Sequence, residues 1–118
     1  MGNGDRGLRV ILHKIHSRKS LAGADFRNLY LSCMDLSGLD LRHANFAGCR
    51  LNYGVMDRSD LTNANLANSN LTKTSFKHAD LTGTVFTDAI VSGANFTGAK
   101  VGPETKEYLK SKGAVGLE

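Results

Sequence analysis

The residues able to do chemistry in this chain are few and scattered. Its 118 residues include four histidines, His13, His16, His43 and His78, and two cysteines, Cys33 and Cys49. His13 and His16 stand one helical turn apart and could touch one metal ion, but no third ligand is near them, so they read as a solvated helix face. No histidine has a nucleophile pattern beside it, and Ser and Thr are spread evenly along the chain. No catalytic, metal-binding or cofactor-binding residue is expected, and the protein is not expected to be an enzyme. Asp40, Asp60 and Asp80 recur at intervals of twenty and form either an acidic stripe or three separate turn residues.

Charge divides the chain. The net charge of +4 and the pI of about 9.3 come mainly from residues 1–18, where Arg6, Arg9, Lys14 and Arg18 face only Asp5. Residues 19–103 are nearly neutral, at +1, and residues 104–118 balance to zero. The basic arm could contact phosphates, although four scattered cations without an aromatic platform make a poor nucleic-acid site. The longest N-terminal apolar run, Val10 to Leu12, is too short for a signal peptide or a membrane span, so a cytoplasmic protein is expected. The cysteines lack metal spacing and read as a reduced pair.

The element that positions everything else is a repeat. Leu, Phe, Met or Val returns at every fifth residue from Phe26 to Val101. Five residues turn a helix by about 140° and land on alternate faces of a flat strand, so neither element explains the period and the chain must turn between repeats. Two residues before most centres stands a small residue, as at Ala24, Ala44, Ala64 and Ala79, and one before the majority of them stands Asp or Asn, as at Asp25, Asp35, Asn45, Asn65 and Asn70. Such short polar side chains bond neighbouring backbone and stabilise turns.

This A(D/N)LXX pattern, running over residues 24–103 as sixteen units with Lys19 to Gly23 as a frayed seventeenth, resembles the pentapeptide repeat family and sets a repeat domain of 19–103. The resemblance implies an all-β solenoid, a right-handed quadrilateral β-helix of about four coils with twenty residues in each. Four inward columns follow: Phe26, Phe46, Leu66, Phe86; Leu31, Leu51, Leu71, Val91; Leu36, Met56, Phe76, Phe96; and Leu41, Leu61, Leu81, Val101. Cys49 then points inward and Cys33 outward, and the large Leu29, Met34 and Leu39 in the small slot should widen or plug the first coil. Open solenoid ends need caps. Leu8, Ile11, Leu12 and Ile15 form one helix stripe, predicting a capping helix over residues 7–17 within an N-terminal arm of 1–18. A helical cap or tail is predicted over 104–118, with Pro103 ending the repeat and a helix from Glu104 to Lys112, where Tyr108 and Leu109 cover the last coil or meet another chain.

The same columns gather Tyr30, Arg50, Tyr53 and Lys73 on the second side, and Tyr and Arg are favoured at interface centres. The leading reading is a rigid scaffold for protein–protein interaction with an unknown partner, with homodimerisation through an end cap left open. The resemblance supplies an alternative, since some pentapeptide repeat proteins imitate duplex DNA and bind DNA gyrase. Those look like acidic rods, whereas this repeat body is nearly neutral. Nucleic-acid binding by the basic arm ranks third.

Overall fold

The computed structural model describes the backbone of residues 3–118 and the side chains of residues 9–118. The side chains of Arg6 and Leu8 lie outside the described residues. Parallel bridges join residues twenty apart, from Asp25 with Asn45 to Asp80 with Lys100. Each coil of this β-helix therefore has four sides of five residues.

The five-residue period follows from the backbone's need for hydrogen-bond partners. In the unit centred on Leu66, the N–H of Leu66 donates to Val85 C=O at 2.7 Å and that of Asn68 to Thr87 C=O at 2.9 Å, both one coil ahead. The N–H of Asn65 donates one coil back, to Ala44 C=O, and that of Ala64 closes a turn on Leu61 C=O, each at 2.9 Å. The fifth N–H, of Ala67, is left out of ladder and turn, and the Asn65 side chain accepts it through Oδ1 at 2.9 Å. A buried or half-buried N–H without a partner is costly, which is why Asp or Asn precedes so many centres. The same bond recurs on Asp25, Asp35, Asp40, Asn45, Asp60, Asn70, Asp80 and Asn95. Two residues past each centre from Phe26 to Phe96 the corner residue has positive φ, as at Gly38 (+69°) and Asn68 (+59°).

The core is a ladder of stacked apolar rungs. All sixteen centres but Val101 are buried, and Val101 is half-buried where its column ends. Phe26 stacks on Phe46 with centroids 4.3 Å apart, Phe76 on Phe96 at 4.9 Å, and Phe86 meets both of the latter edge-on. Ala44, Cys49, Ala64 and Ala79 fill the small slot, and burial pushes the Cys49 thiol up to about 12. Where that slot holds a hydroxyl, the hydroxyl donates to a core carbonyl: Ser59 to Met56, Ser69 to Leu66, Thr74 to Leu51 and Thr84 to Leu61.

Both ends carry helices. Helix α1 (Asn3–Ser17) begins four residues earlier than the apolar stripe suggested. Its Ile15 is buried, and Ile11 and Leu12 are half-buried against the core beside Leu29 and Met34, so the bulky first coil and the helix close that end together. Below the third side, Asp35 and Ser37 present the two carbonyls that a preceding coil's N–H groups would fill. The Arg18 guanidinium supplies them instead, Nη1 donating to Asp35 C=O at 3.3 Å and Ser37 C=O at 3.4 Å, with Nη2 3.6 Å from the Asp35 carboxylate.

Helix α2 (Pro103–Ser111) starts on Pro103, one residue before the predicted Glu104, since proline's fixed φ suits the first helical position, and ends one residue before the predicted Lys112. Leu109 is fully buried. Gly113, at φ +92°, ends the helix, with its N–H on Lys110 C=O and that of Ala114 on Leu109 C=O. The chain then returns to the third side. Val115 bridges Asn95, its C=O accepting the Phe96 N–H at 2.9 Å and its N–H reaching Ala94 C=O at 2.8 Å, and Leu117 is buried behind it. Residues 113–117 are thus part of the solenoid's closure, a role the sequence pattern did not reveal.

Two substitutions separate these terms. Asn65→Ala strips the acceptor from the Ala67 N–H and should cost about 1 kcal/mol. Gly38→Ala meets no atom within 4 Å but must hold φ near +69°, and should also cost about 1 kcal/mol. Urea unfolding measures both, and an Asn65→Ala protein as stable as the wild type would remove the proposed reason for the repeat's polar position.

Candidate partner-binding face

The outward residue just before each centre is where the repeat can either serve itself or serve something else. On the first side it is Asp25, Asn45, Asn65 and Val85, and on the fourth Asp40, Asp60, Asp80 and Lys100. Three of the four serve the turn on each. On the third side Asp35 and Asn95 do so, and Asp57 from the coil below Ser75 accepts both its hydroxyl and the Lys77 N–H. The second side is different. Its column is Tyr30, Arg50, Asn70 and Ile90, and only Asn70 carries the turn-serving side chain.

Tyr30, Arg50 and Ile90 therefore leave the fifth N–H of their units without a side-chain acceptor among the described residues, and project side chains that do nothing for the turn. Tyr30 is 70% exposed and Ile90 53%. The Arg50 guanidinium carbon sits 4.5 Å from the centroid of the Tyr30 ring, a cation–π contact that aligns the head group while leaving its N–H edges available. The neighbouring corner column holds Cys33, Tyr53 and Lys73 at φ +63°, +62° and +59°, and then Gly93. Tyr53 is 59% exposed. Lys73 reaches along the stack, its aliphatic end filling the space a side chain at Gly93 would occupy. The structure thus brings Tyr30, Arg50, Tyr53 and Lys73 onto one face, beside exposed Cys33.

The other sequence-selected residues are placed less openly. Asp40, Asp60 and Asp80 do align, but each is held to its own turn. The Arg42 guanidinium grips both Asp40 oxygens at 2.8 Å and holds that carboxyl well below the usual range. Asp60 accepts the Thr62 hydroxyl at 2.6 Å. The Thr82 hydroxyl and N–H lower Asp80, and Lys100 continues its column. In the basic arm Arg9 and Lys14 are exposed, while Arg18 is tied to the first coil. His13 and His16 are exposed, and no cluster of three metal-ligating side chains occurs among the described residues. At the far end Leu109 is consumed by the core, and the half-buried Tyr108 hydroxyl accepts the Asp88 N–H at 3.3 Å. No helix of the described residues is long and apolar enough to cross a membrane.

Comparison with known proteins identifies the repeat. Pentapeptide repeats are recognised in 8 copies over residues 20–52 and 59–98. Among solved structures, the chain is similar to a pentapeptide repeat protein of the Arabidopsis thaliana thylakoid lumen, at 28% identity over 82% of this chain and 79% of that one, with a TM-score of 0.45. It is also similar to a pentapeptide repeat protein of the cyanobacterium Cyanothece 51142, at 18% identity over 79% and 87%, with a TM-score of 0.38. A third, the plasmid-mediated fluoroquinolone resistance protein QnrB1, shares 19% identity over 78% of this chain and 64% of its own, with a TM-score of 0.39. No curated protein matches the chain.

If the second side has given up turn stability for its exposed residues, restoring the turn acceptor should stabilise the protein. Arg50→Asn and Ile90→Asn are each expected to raise unfolding free energy by about 0.5–1 kcal/mol, while Asn70→Ala lowers it by a similar amount. Urea denaturation of the three variants decides the point, and loss of stability in both Asn variants would contradict it.

Proposed function

The chain belongs to the pentapeptide repeat family, whose fold is a right-handed β-helix, and we propose that it works as a non-enzymatic scaffold docking a protein partner on its second side. The observation that carries this reading is that three of four units on that side lack the polar residue their turns need and expose Tyr30, Arg50 and Ile90 in its place. A repeat whose local rules are broken without local compensation is where function is to be sought. Exposed Tyr and Arg supply large contact area and directional bonding at small entropic cost.

Imitation of duplex DNA, and with it a gyrase-type partner, asks for a continuous negative face. The aligned Asp40, Asp60 and Asp80 are occupied by Arg42, Thr62 and Thr82 and run into Lys100, which weighs against it. Arg18's engagement with Asp35 and Ser37 likewise weakens the basic arm as a phosphate-binding element.

Affinity capture from the source cell, using the whole chain as bait, tests the docking face. The wild type should retain a partner that Tyr53→Ala and Arg50→Ala lose by about tenfold, while Thr82→Ala on the fourth side retains it. Retention by both second-side variants with loss in Thr82→Ala would move the site to the fourth side.

A further inference from the structure

Charge is segregated by side in a way the near-neutral total conceals. The second side, residues 29–33, 49–53, 69–73 and 89–93, contains no Asp or Glu and carries Arg50 and Lys73. Every other side contains carboxylates: Asp25 and Asp88 on the first, Asp35 and Asp57 on the third, and Asp40, Asp60 and Asp80 on the fourth. Elsewhere three arginines are spent within the chain, Arg27 on Asp25 at 2.9 Å, Arg42 on Asp40 at 2.8 Å and Arg18 on Asp35 at 3.6 Å, while Arg9 and Arg58 form no ion pair among the described residues but lie outside the carboxylate-free side. Neither Arg50 nor Lys73 forms an ion pair among the described residues. The nearest carboxylate in the chain order of that face is Asp88, at the corner it shares with the first side.

From this we infer that the docked partner presents an acidic, carboxylate-bearing protein segment in extended form, laid along the stacked rungs of the second side. The inference rests on the second side being the docking face. Arg50, stacked on Tyr30, offers a planar fork matched to a carboxylate, whereas Lys73 offers a point charge farther up the stack. The tyrosines and Ile90 supply apolar contact between and beyond them. The column Tyr30, Arg50, Asn70, Ile90 spans about 14 Å at the usual strand spacing, the reach of about five extended residues. A segment of that length with Glu or Asp near each end and small or β-branched residues between meets both cations without meeting a carboxylate of the scaffold. Charge complementarity of this kind favours one class of partner and gives strong salt dependence.

The test uses the whole chain and a fluorescein-labelled twelve-residue peptide of repeated Glu-Val-Ser, with a Gln-Val-Ser counterpart, read by fluorescence anisotropy. The acidic peptide should bind at least about tenfold more tightly than the neutral one and weaken as KCl rises. Arg50→Gln combined with Lys73→Gln should lose about tenfold, while Arg27→Gln combined with Arg42→Gln, which removes paired arginines, should change affinity less than about twofold. Circular dichroism confirms that each variant is folded. Equal binding of the two peptides, or acidic-peptide binding indifferent to Arg50 and Lys73, overturns the inference. So does tighter binding of a twelve-nucleotide single-stranded DNA through the same two residues, which would assign the face to nucleic acid. If neither peptide binds while cell-derived partner retention still depends on Tyr53 and Arg50, the acidic class fails and the docking face stands. If that retention is also indifferent to them, both fail.

Discussion

The structure depends on finding a partner for one backbone N–H in every five. Ladder and turn together take four, leaving the group just after each inward residue, and in nine of the sixteen units a short side-chain oxygen two residues earlier takes it. From that requirement come the period, the Asp or Asn before the centre and the corner with positive φ. Inward burial supplies the driving force, but burial alone would accept many spacings. The hydrogen-bond requirement selects five.

The two ends obey the same requirement by other means. Residues 21–23 form an earlier rung below the fourth side, but below the third side none exists, and one arginine side chain stands in for two missing N–H groups on Asp35 and Ser37. At the last coil the chain leaves through α2 and comes back as a partial rung at Val115. A helix at each end covers apolar surface that the ladder cannot, with Ile15 at one end and Leu109 at the other. These devices also limit what the ends can offer a partner, because Arg18 and Leu109 are already used.

Much of this was legible in the residues. The centres from Phe26 to Phe96, the small slot and the inward Cys49 could be assigned because a strict period leaves one register. The polar position could be read as turn-forming, though not which N–H it served, since that emerges only when the ladder twenty residues away is known. Arg18 looked like any other cation of the basic arm, as nothing in its neighbours signals carbonyls seventeen and nineteen residues ahead. The return at residues 113–117 carries no five-residue pattern, so Leu117 gave no sign of burial. Tyr30, Arg50, Tyr53 and Lys73 could be gathered on one face from the period, but their departure from the repeat's own chemistry became meaningful only once that chemistry was known. The candidate face is thus defined by the units that depart from the repeat's hydrogen-bond rule.

That rule rests on residues twenty apart lying in direct register, and a disulfide tests it most directly. Cys33 and Tyr53 occupy the same corner column in successive coils, where adjacent rungs lie about 4.8 Å apart, within bridging range for two cysteines. In the Tyr53→Cys protein, mild oxidation should link residues 33 and 53 within one chain, seen by mass spectrometry of the digested protein, while Gly48→Cys and Arg58→Cys, fifteen and twenty-five residues from Cys33, should stay unlinked. Linkage at position 48 or 58 in preference to 53 would contradict the four-sided register and everything built on it.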